Sequence, residues 1–157
     1  MIPERVSRVL AAHGLRAMEF EPGSTATAEL AAARLGVEVG QIAKSLLFLT
    51  KDGRYAMLCC PGDRKASSSK LKAALGAKLR MARAEEALAA TGFPPGGVCP
   101  FGIAPGIRIL LDEGLARYGT IYPAAGTPAS GVAMTFAQLG ALTGGQVGDF
   151  TTGAEEG

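Results

Sequence analysis

The stretch that most constrains the fold is Gln41-Ile42-Ala43-Lys44-Ser45-Leu46-Leu47-Phe48-Leu49-Thr50. Side chains alternate faces along a strand, so Ile42, Lys44, Leu46 and Phe48 share one face while Ala43, Leu47 and Leu49 fill the other. A strand that is apolar on both faces belongs inside a domain. It carries one lysine, and taking an ammonium out of water there costs on the order of several kcal/mol unless something pairs with it. Lys44 therefore calls for a protein carboxylate, or for the phosphate or polarised carbonyl of a ligand. The alternative is a lysine whose stem covers apolar surface while its head reaches solvent.

The flanking sequence supplies partners for this strand. Lys51-Asp52-Gly53 is a hairpin signal, and Arg54 to Cys60 is an apolar return strand that stops at Pro61-Gly62, so the lysine strand gains an antiparallel neighbour. Upstream, Pro3 to His13 reads as a helix with Val6, Val9 and Leu10 on one stripe. His13, the sole histidine, falls in its last turn, where it suits the helix dipole better than catalysis. Arg16 to Glu21 alternates around Met18 and Phe20 as a short strand, and Thr27 caps a helix over 28–35 that Gly36 ends. Downstream, Asp63-Arg64-Lys65 opens a polar connection to a helix over 67–75, and 78–81 is a short strand. A helix over 84–91 with Glu85 and Glu86 in its first turn comes next.

The loop Thr91-Gly92-Phe93-Pro94-Pro95-Gly96-Gly97-Val98-Cys99-Pro100-Phe101-Gly102 follows, with four glycines and three prolines. Glycines let a ligand approach the main chain and prolines fix its path, so backbone N–H groups can be held toward an oxyanion or phosphate. An ordinary surface crossover is the alternative. Residues 107–111 form another buried strand, closed by Asp112 as a helix cap or a site residue. Tyr118 to Tyr122 and Gly131 to Met134 read as strands, and Thr135 with Gln138 forms a capping box for a helix over 136–142. About six strands and five helices without strict alternation predict an α+β (mixed α/β) fold, a curled, largely antiparallel mixed sheet or barrel flanked by helices.

With 157 residues, 48% of them hydrophobic, and no linker or repeat, residues 1–150 read as a single domain and 151–157 as a polar, disordered tail. No apolar run reaches membrane-span length and the start lacks a signal-peptide pattern, so a soluble, cytoplasmic protein is expected. Cys59 and Cys60 are adjacent, Cys99 is odd, and no Cys-x-x-Cys is present, which argues against disulfides and structural metal. The net charge of +2 hides a local asymmetry: seven cations and no acid lie between Arg64 and Arg83. Arg64, Lys65 and Lys70 are candidate contacts for a nucleic-acid backbone, against the plainer reading of a solvated helix face. No Walker loop is present, and the glycines after Gly92 do not follow a strand and open a helix.

The order of Thr27-Ala28-Glu29 with Ala31-Ala32, Gln41 to Leu46, Gly62 to Lys65, the loop from Thr91 to Gly102 and Leu111-Asp112-Glu113 resembles the YbaK/EbsC-like aminoacyl-tRNA editing domains. These are relatives of the editing insertion of bacterial prolyl-tRNA synthetase. The resemblance implies a free-standing deacylase, without cofactor or metal, that hydrolyses the ester of a mischarged tRNA. A small noncognate amino acid (Cys, Ala, Ser or Thr) on tRNA(Pro) is the implied substrate. Partners would be the acceptor end of that tRNA and a synthetase, with no membrane or DNA involved. The family's essential lysine falls on Lys44, its glycine-rich substrate loop on Gly96 to Gly102, and the substrate contacts on Phe20, Thr27, Gly97, Val98, Cys99, Pro100, Phe101, Gly102 and Asp112. Cys99 stands where many relatives have serine, which alters the expected polarity of the pocket. No Ser-His-Asp or Cys-His arrangement offers a general base, so the attacking group would be a water oriented by the substrate's ribose hydroxyl, or a group of the substrate side chain. A non-catalytic aminoacyl-tRNA or nucleotide-binding module of the same fold, and a thiol-dependent enzyme using Cys99 or Cys59-Cys60, are the competing readings.

Overall fold

The computed structural model describes residues 1–153. In chain order the helices are α1 (Glu4–Ala11), α2 (Ala28–Leu35), α3 (Ser68–Leu75), α4 (Ala84–Thr91) and α5 (Phe136–Thr143). The strands are β1 (Met18–Glu19), β2 (Ile42–Thr50), β3 (Tyr55–Pro61), β4 (Arg64–Ala66), β5 (Leu79–Met81), β6 (Arg108–Asp112), β7 (Tyr122–Pro123), β8 (Ser130–Gly131), β9 (Gln146–Gly148) and β10 (Thr151–Gly153). Short 3-10 segments at Val39–Gln41 and Glu113–Arg117 precede β2 and follow β6.

The main sheet runs in the order β5-β2-β3-β6-β9, with β7 also on β2. β2 is antiparallel to β3 and β5 and parallel to β7, whereas β6 and β9 join in parallel. The result is a mixed α+β fold in which antiparallel pairing holds most of the registered residues. The sheet ends at β5 and β9 without closing, so the barrel alternative does not apply.

Both faces of β2 are buried, as its pattern requires. Ala43 joins Val6, Leu10 and Leu139 in a core roofed by α1 and α5, whereas Phe48 packs with Leu58, Leu71 and Leu75 beneath α3. The third apolar contact is between Ile42 and Ala31 and Ala32 of α2. Local signals set the ends of that helix: Thr27 Oγ1 accepts from the Leu30 N–H at 3.1 Å, and Gly36 takes a left-handed φ of 71°. An N-cap of this kind contributes about 1 kcal/mol.

Several elements differ from the sequence expectation. α1 stops at Ala11, so exposed His13 lies in the turn beyond it. The stretches 16–21, 118–122 and 131–134 shrink to the two-residue strands β1, β7 and β8, with an isolated bridge between Ile121 and Met134. Residues 64–66 form a strand rather than a connection, because Thr151–Gly153 pairs with them. The disordered tail expected from Thr151 is therefore corrected over 151–153, and its remainder, 154–157, lies outside the described residues. No helix among the described residues is long and apolar enough to cross a membrane.

Candidate active site

Lys44 stands opposite Cys60 in the β2–β3 ladder, half-buried, with its ammonium under the turn that leads into β4. Its Nζ donates to the Arg64 carbonyl at 2.6 Å. Among the described residues it enters no ion pair. An ammonium has three donors, and a main-chain carbonyl does not neutralise its charge. Among the described residues, then, no carboxylate fills the partner's place that the sequence left open.

Two hollows meet at this side chain, and Lys44 and Leu46 line both. The first, of about 250 Å³, lies between β2, α2 and the glycine–proline loop, walled by Ala28, Ala31, Ile42 and Val98, with Thr25 and Ser130 as polar neighbours. Both hydroxyls are committed: Thr25 Oγ1 accepts from the Ser130 N–H at 2.9 Å, and Ser130 Oγ donates to the Thr127 carbonyl at 2.8 Å. The second is a groove of about 560 Å³ running past Phe48, Arg64, Lys65 and Arg80.

The loop reaches the first cavity through Gly96 and Val98. Gly96 has φ +82° and lies so close to the chain at Ala26 that a Cβ would stand 2.8 Å from the Ala26 carbonyl oxygen. Gly97 is buried behind it, where a Cβ would meet the Thr127 nitrogen at 2.7 Å, and its own N–H already donates to the Pro94 carbonyl at 3.0 Å. From the opposite side, Arg5 of α1 ties the loop's ends together. Its guanidinium donates to the Thr91 carbonyl at 2.7 Å and the Gly102 carbonyl at 2.8 Å, and lies 4.3 Å from the centre of the Phe93 ring.

The structure thus brings together part of the set expected from sequence. Lys44, Thr27 and Val98 line one cavity. Cys99 and Phe101 instead point into the core with α1 and α5, Pro100 is buried, and the Gly102 carbonyl is held by Arg5. Cys99 therefore does not set the polarity of the pocket. Burial pushes its thiol up to about 12, and does the same to Cys59 and Cys60, so none offers a thiolate near neutrality. Phe20 lies outside the cavity wall, under the guanidinium of Arg34 at 4.6 Å. Asp112 is buried and committed to the main chain, accepting from Gly114 N at 3.0 Å and Phe150 N at 2.9 Å, which makes it a cap and a tie rather than a wall residue.

Of the three cations expected to meet nucleic acid, Arg64 donates to Thr151 Oγ1 at 2.9 Å and Lys70 is paired with Asp149 at 3.0 Å. Lys65 is exposed on the groove. Farther along the charge run, Arg80 and Arg83 pair with Glu86, whose carboxyl is held down to about 2 mainly by the Arg80 hydrogen bond. Gly96 and Ala31, which the family resemblance includes in its substrate loop and its matching segments, are on the wall. Sequence reasoning missed Tyr122 and Ser130 on the wall and Arg5 behind it, all brought in only by distant packing. Among the described residues no group of three or more His, Cys, Asp or Glu side chains could hold a metal ion.

A small, mostly apolar cavity and a groove that carries several cations thus share one half-buried ammonium. The chain belongs to the aminoacyl-tRNA editing domain family, which it matches over residues 22–142. It is 40% identical over 121 residues to YwhH of Bacillus subtilis, a match covering 77% of this chain and 76% of that protein. Over 127 residues it is 29% identical to EbsC of Enterococcus faecalis, provisionally named a Cys-tRNA(Pro)/Cys-tRNA(Cys) deacylase, covering 80% and 77% of the two chains. A crystal structure provisionally described as a trans-editing enzyme for prolyl tRNA synthetase superposes with a TM-score of 0.86 at 38% identity, covering 96% of each chain.

Proposed function

We propose that the protein is a free-standing, trans-acting aminoacyl-tRNA deacylase that removes a small noncognate amino acid, Cys, Ala, Ser or Thr, from tRNA(Pro). The observation that carries this reading is the Lys44 ammonium at the junction of the two hollows, with no carboxylate partner among the described residues. The cavity of about 250 Å³ falls below the roughly 300–1,000 Å³ of pockets for drug-sized ligands, as a site for one small side chain should. The groove, with Lys65 exposed beside it, suits the phosphates of an acceptor strand. Family membership and the names given to EbsC and to the superposed structure support the same chemistry.

In this reading Lys44 binds the terminal phosphate or polarises the ester carbonyl. Water adds to the acyl carbon, the bond to the ribose oxygen breaks, and a proton passes to that oxygen, releasing free amino acid and uncharged tRNA. Holding the acyl group against a preorganised donor set is the main requirement for so reactive an ester. No histidine lines the cavity, so the water is oriented by the substrate's own ribose hydroxyl.

The test is deacylation of a labelled panel, Cys, Ala, Ser, Thr and cognate Pro on tRNA(Pro). Rapid loss of one noncognate label, with Pro retained, is expected. A panel that stays charged although the tRNA binds would replace this reading with a non-catalytic binding module.

A further inference from the structure

The edge of β2 beside Lys44 is incomplete. The N–H of Gly62 donates to the Ile42 carbonyl and the N–H of Thr50 to the Arg54 carbonyl, which fixes even-numbered residues of β2 as the ones bonded to β3. The main-chain groups of odd-numbered residues therefore face the opposite edge. At Leu47 that direction is seen directly, since its carbonyl accepts from the Ala82 N–H at 2.9 Å. On the same edge the register of β7 stops at Ala43 and that of β5 begins at Phe48. Among the described residues no strand stands opposite residue 45, and it lines the cavity of about 250 Å³.

Unpaired main-chain groups inside a domain are costly unless water or a ligand meets them. Here they sit next to the ammonium already assigned to the substrate, while the Ser45 hydroxyl is turned to Cys59 Sγ at 3.5 Å. An aminoacyl ester presents a donor, its α-ammonium, and an acceptor, its carbonyl, on either side of one carbon. That is the pattern of a residue in an antiparallel hydrogen-bonded pair, in which both N–H···O bonds are exchanged.

We propose that the main chain of Ser45 pairs with the aminoacyl group as the missing rung of the sheet, its N–H donating to the ester carbonyl and its C=O accepting from the α-ammonium. This rests on the deacylase reading and adds to it the element that reads the amino-acid backbone. As negative charge grows on the carbonyl oxygen during water attack, the Ser45 N–H is already aimed at it, a strand-edge oxyanion donor that needs no reorganisation. The side chain of the amino acid is left to the apolar wall under α2.

The experiment replaces the amide of residue 45 by an ester in the full chain, Ser45→lactic acid, and compares it with Ser45→Ala, which carries the same side chain. Both are assayed on alanyl- and cysteinyl-tRNA(Pro). Loss of the N–H is expected to lower kcat about 10²–10³-fold relative to Ser45→Ala, with Tm lowered only slightly, because no ladder bond is removed and only the Lys44 carbonyl, now an ester, accepts more weakly from β3. Equal kcat in the two variants overturns the proposal. A second arm needs only the wild-type protein: its acceleration over spontaneous hydrolysis is compared for each aminoacyl ester and its deamino analogue, propionyl- or mercaptopropionyl-tRNA(Pro). Acceleration at least tenfold smaller for the deamino esters is expected, and equal acceleration overturns the proposal even if the backbone variant does not fold. If the wild type hydrolyses none of the aminoacyl esters, the deacylase reading falls and this one with it. Turnover without the expected discrimination removes the rung alone.

Discussion

The cavity under α2 and the groove beside β5 share Lys44 and Leu46 yet differ in what surrounds those two residues. The cavity is walled mostly by apolar residues, alanine the most frequent, and the hydroxyls of Thr25 and Ser130 beside it are bonded to the main chain. The groove carries the cations Lys44, Arg64, Lys65 and Arg80 beside the carboxylates of Glu29 and Asp63, and two of the cations are already engaged: Arg64 by Thr151, Arg80 by Glu86. One hollow is set by packing and the other by charge. Lys44 is the point at which the two kinds of recognition meet, so variants that act on one side only can separate them.

The largest effect is expected where the two join. Lys44→Ala should lower deacylation about 10²–10³-fold with the circular dichroism spectrum retained, as loss of a preorganised charge at a developing oxyanion or phosphate does. Undiminished turnover would remove Lys44 from the site. On the packing side, Gly96→Ala places a Cβ at a left-handed φ and 2.8 Å from the Ala26 carbonyl oxygen. We expect a loss of about 1–3 kcal/mol in denaturant unfolding, together with reduced activity. Gly106→Ala, in the same part of the chain but with nothing within 4 Å of the added carbon, is the matched control. Equal stability for the two would show that the loop does not depend on its close approach to Ala26.

The smallest effect belongs to the groove. Lys65→Ala should reduce the slope of log K for tRNA binding against log salt by about 1, while kcat at saturating tRNA is kept. Lys70→Ala should change that slope less, because Asp149 already neutralises Lys70 at 3.0 Å. The reverse order would mean that the acceptor strand crosses α3 instead.

What could be read from the sequence follows the range of the interactions involved. The helices at 28–35 and 136–143 have ends written by neighbouring residues: Thr27 and Gly36 for one, the reciprocal bonds of Thr135 and Gln138 for the other. The two-faced burial of β2 was likewise carried by its own alternation. By contrast, β9 and β10 are short, polar and defined by partners far along the chain, Leu110 to Asp112 for β9 and Arg64 to Ala66 for β10, so no local pattern announced them. The glycine–proline loop was legible as special, but not which way it faces. Gly96 and Val98 turn to the cavity while Cys99 and Phe101 turn to the core, a division made by packing against α1 and α5. Lys44 was legible as a charge in the wrong place, and its carbonyl partner at Arg64 was not.

Arg5 joins residues that lie far apart from it in sequence, and it holds Thr91 and Gly102, the two ends of one loop, by a single guanidinium. Topologically this makes the loop a ring closed by a reversible cross-link. The entropy of bringing its ends together is lost when the protein folds, not when a substrate arrives. The wall formed by Gly96 and Val98 is then an arch with fixed footings, and a ligand that presses on it meets stiffness set on the far side of the molecule.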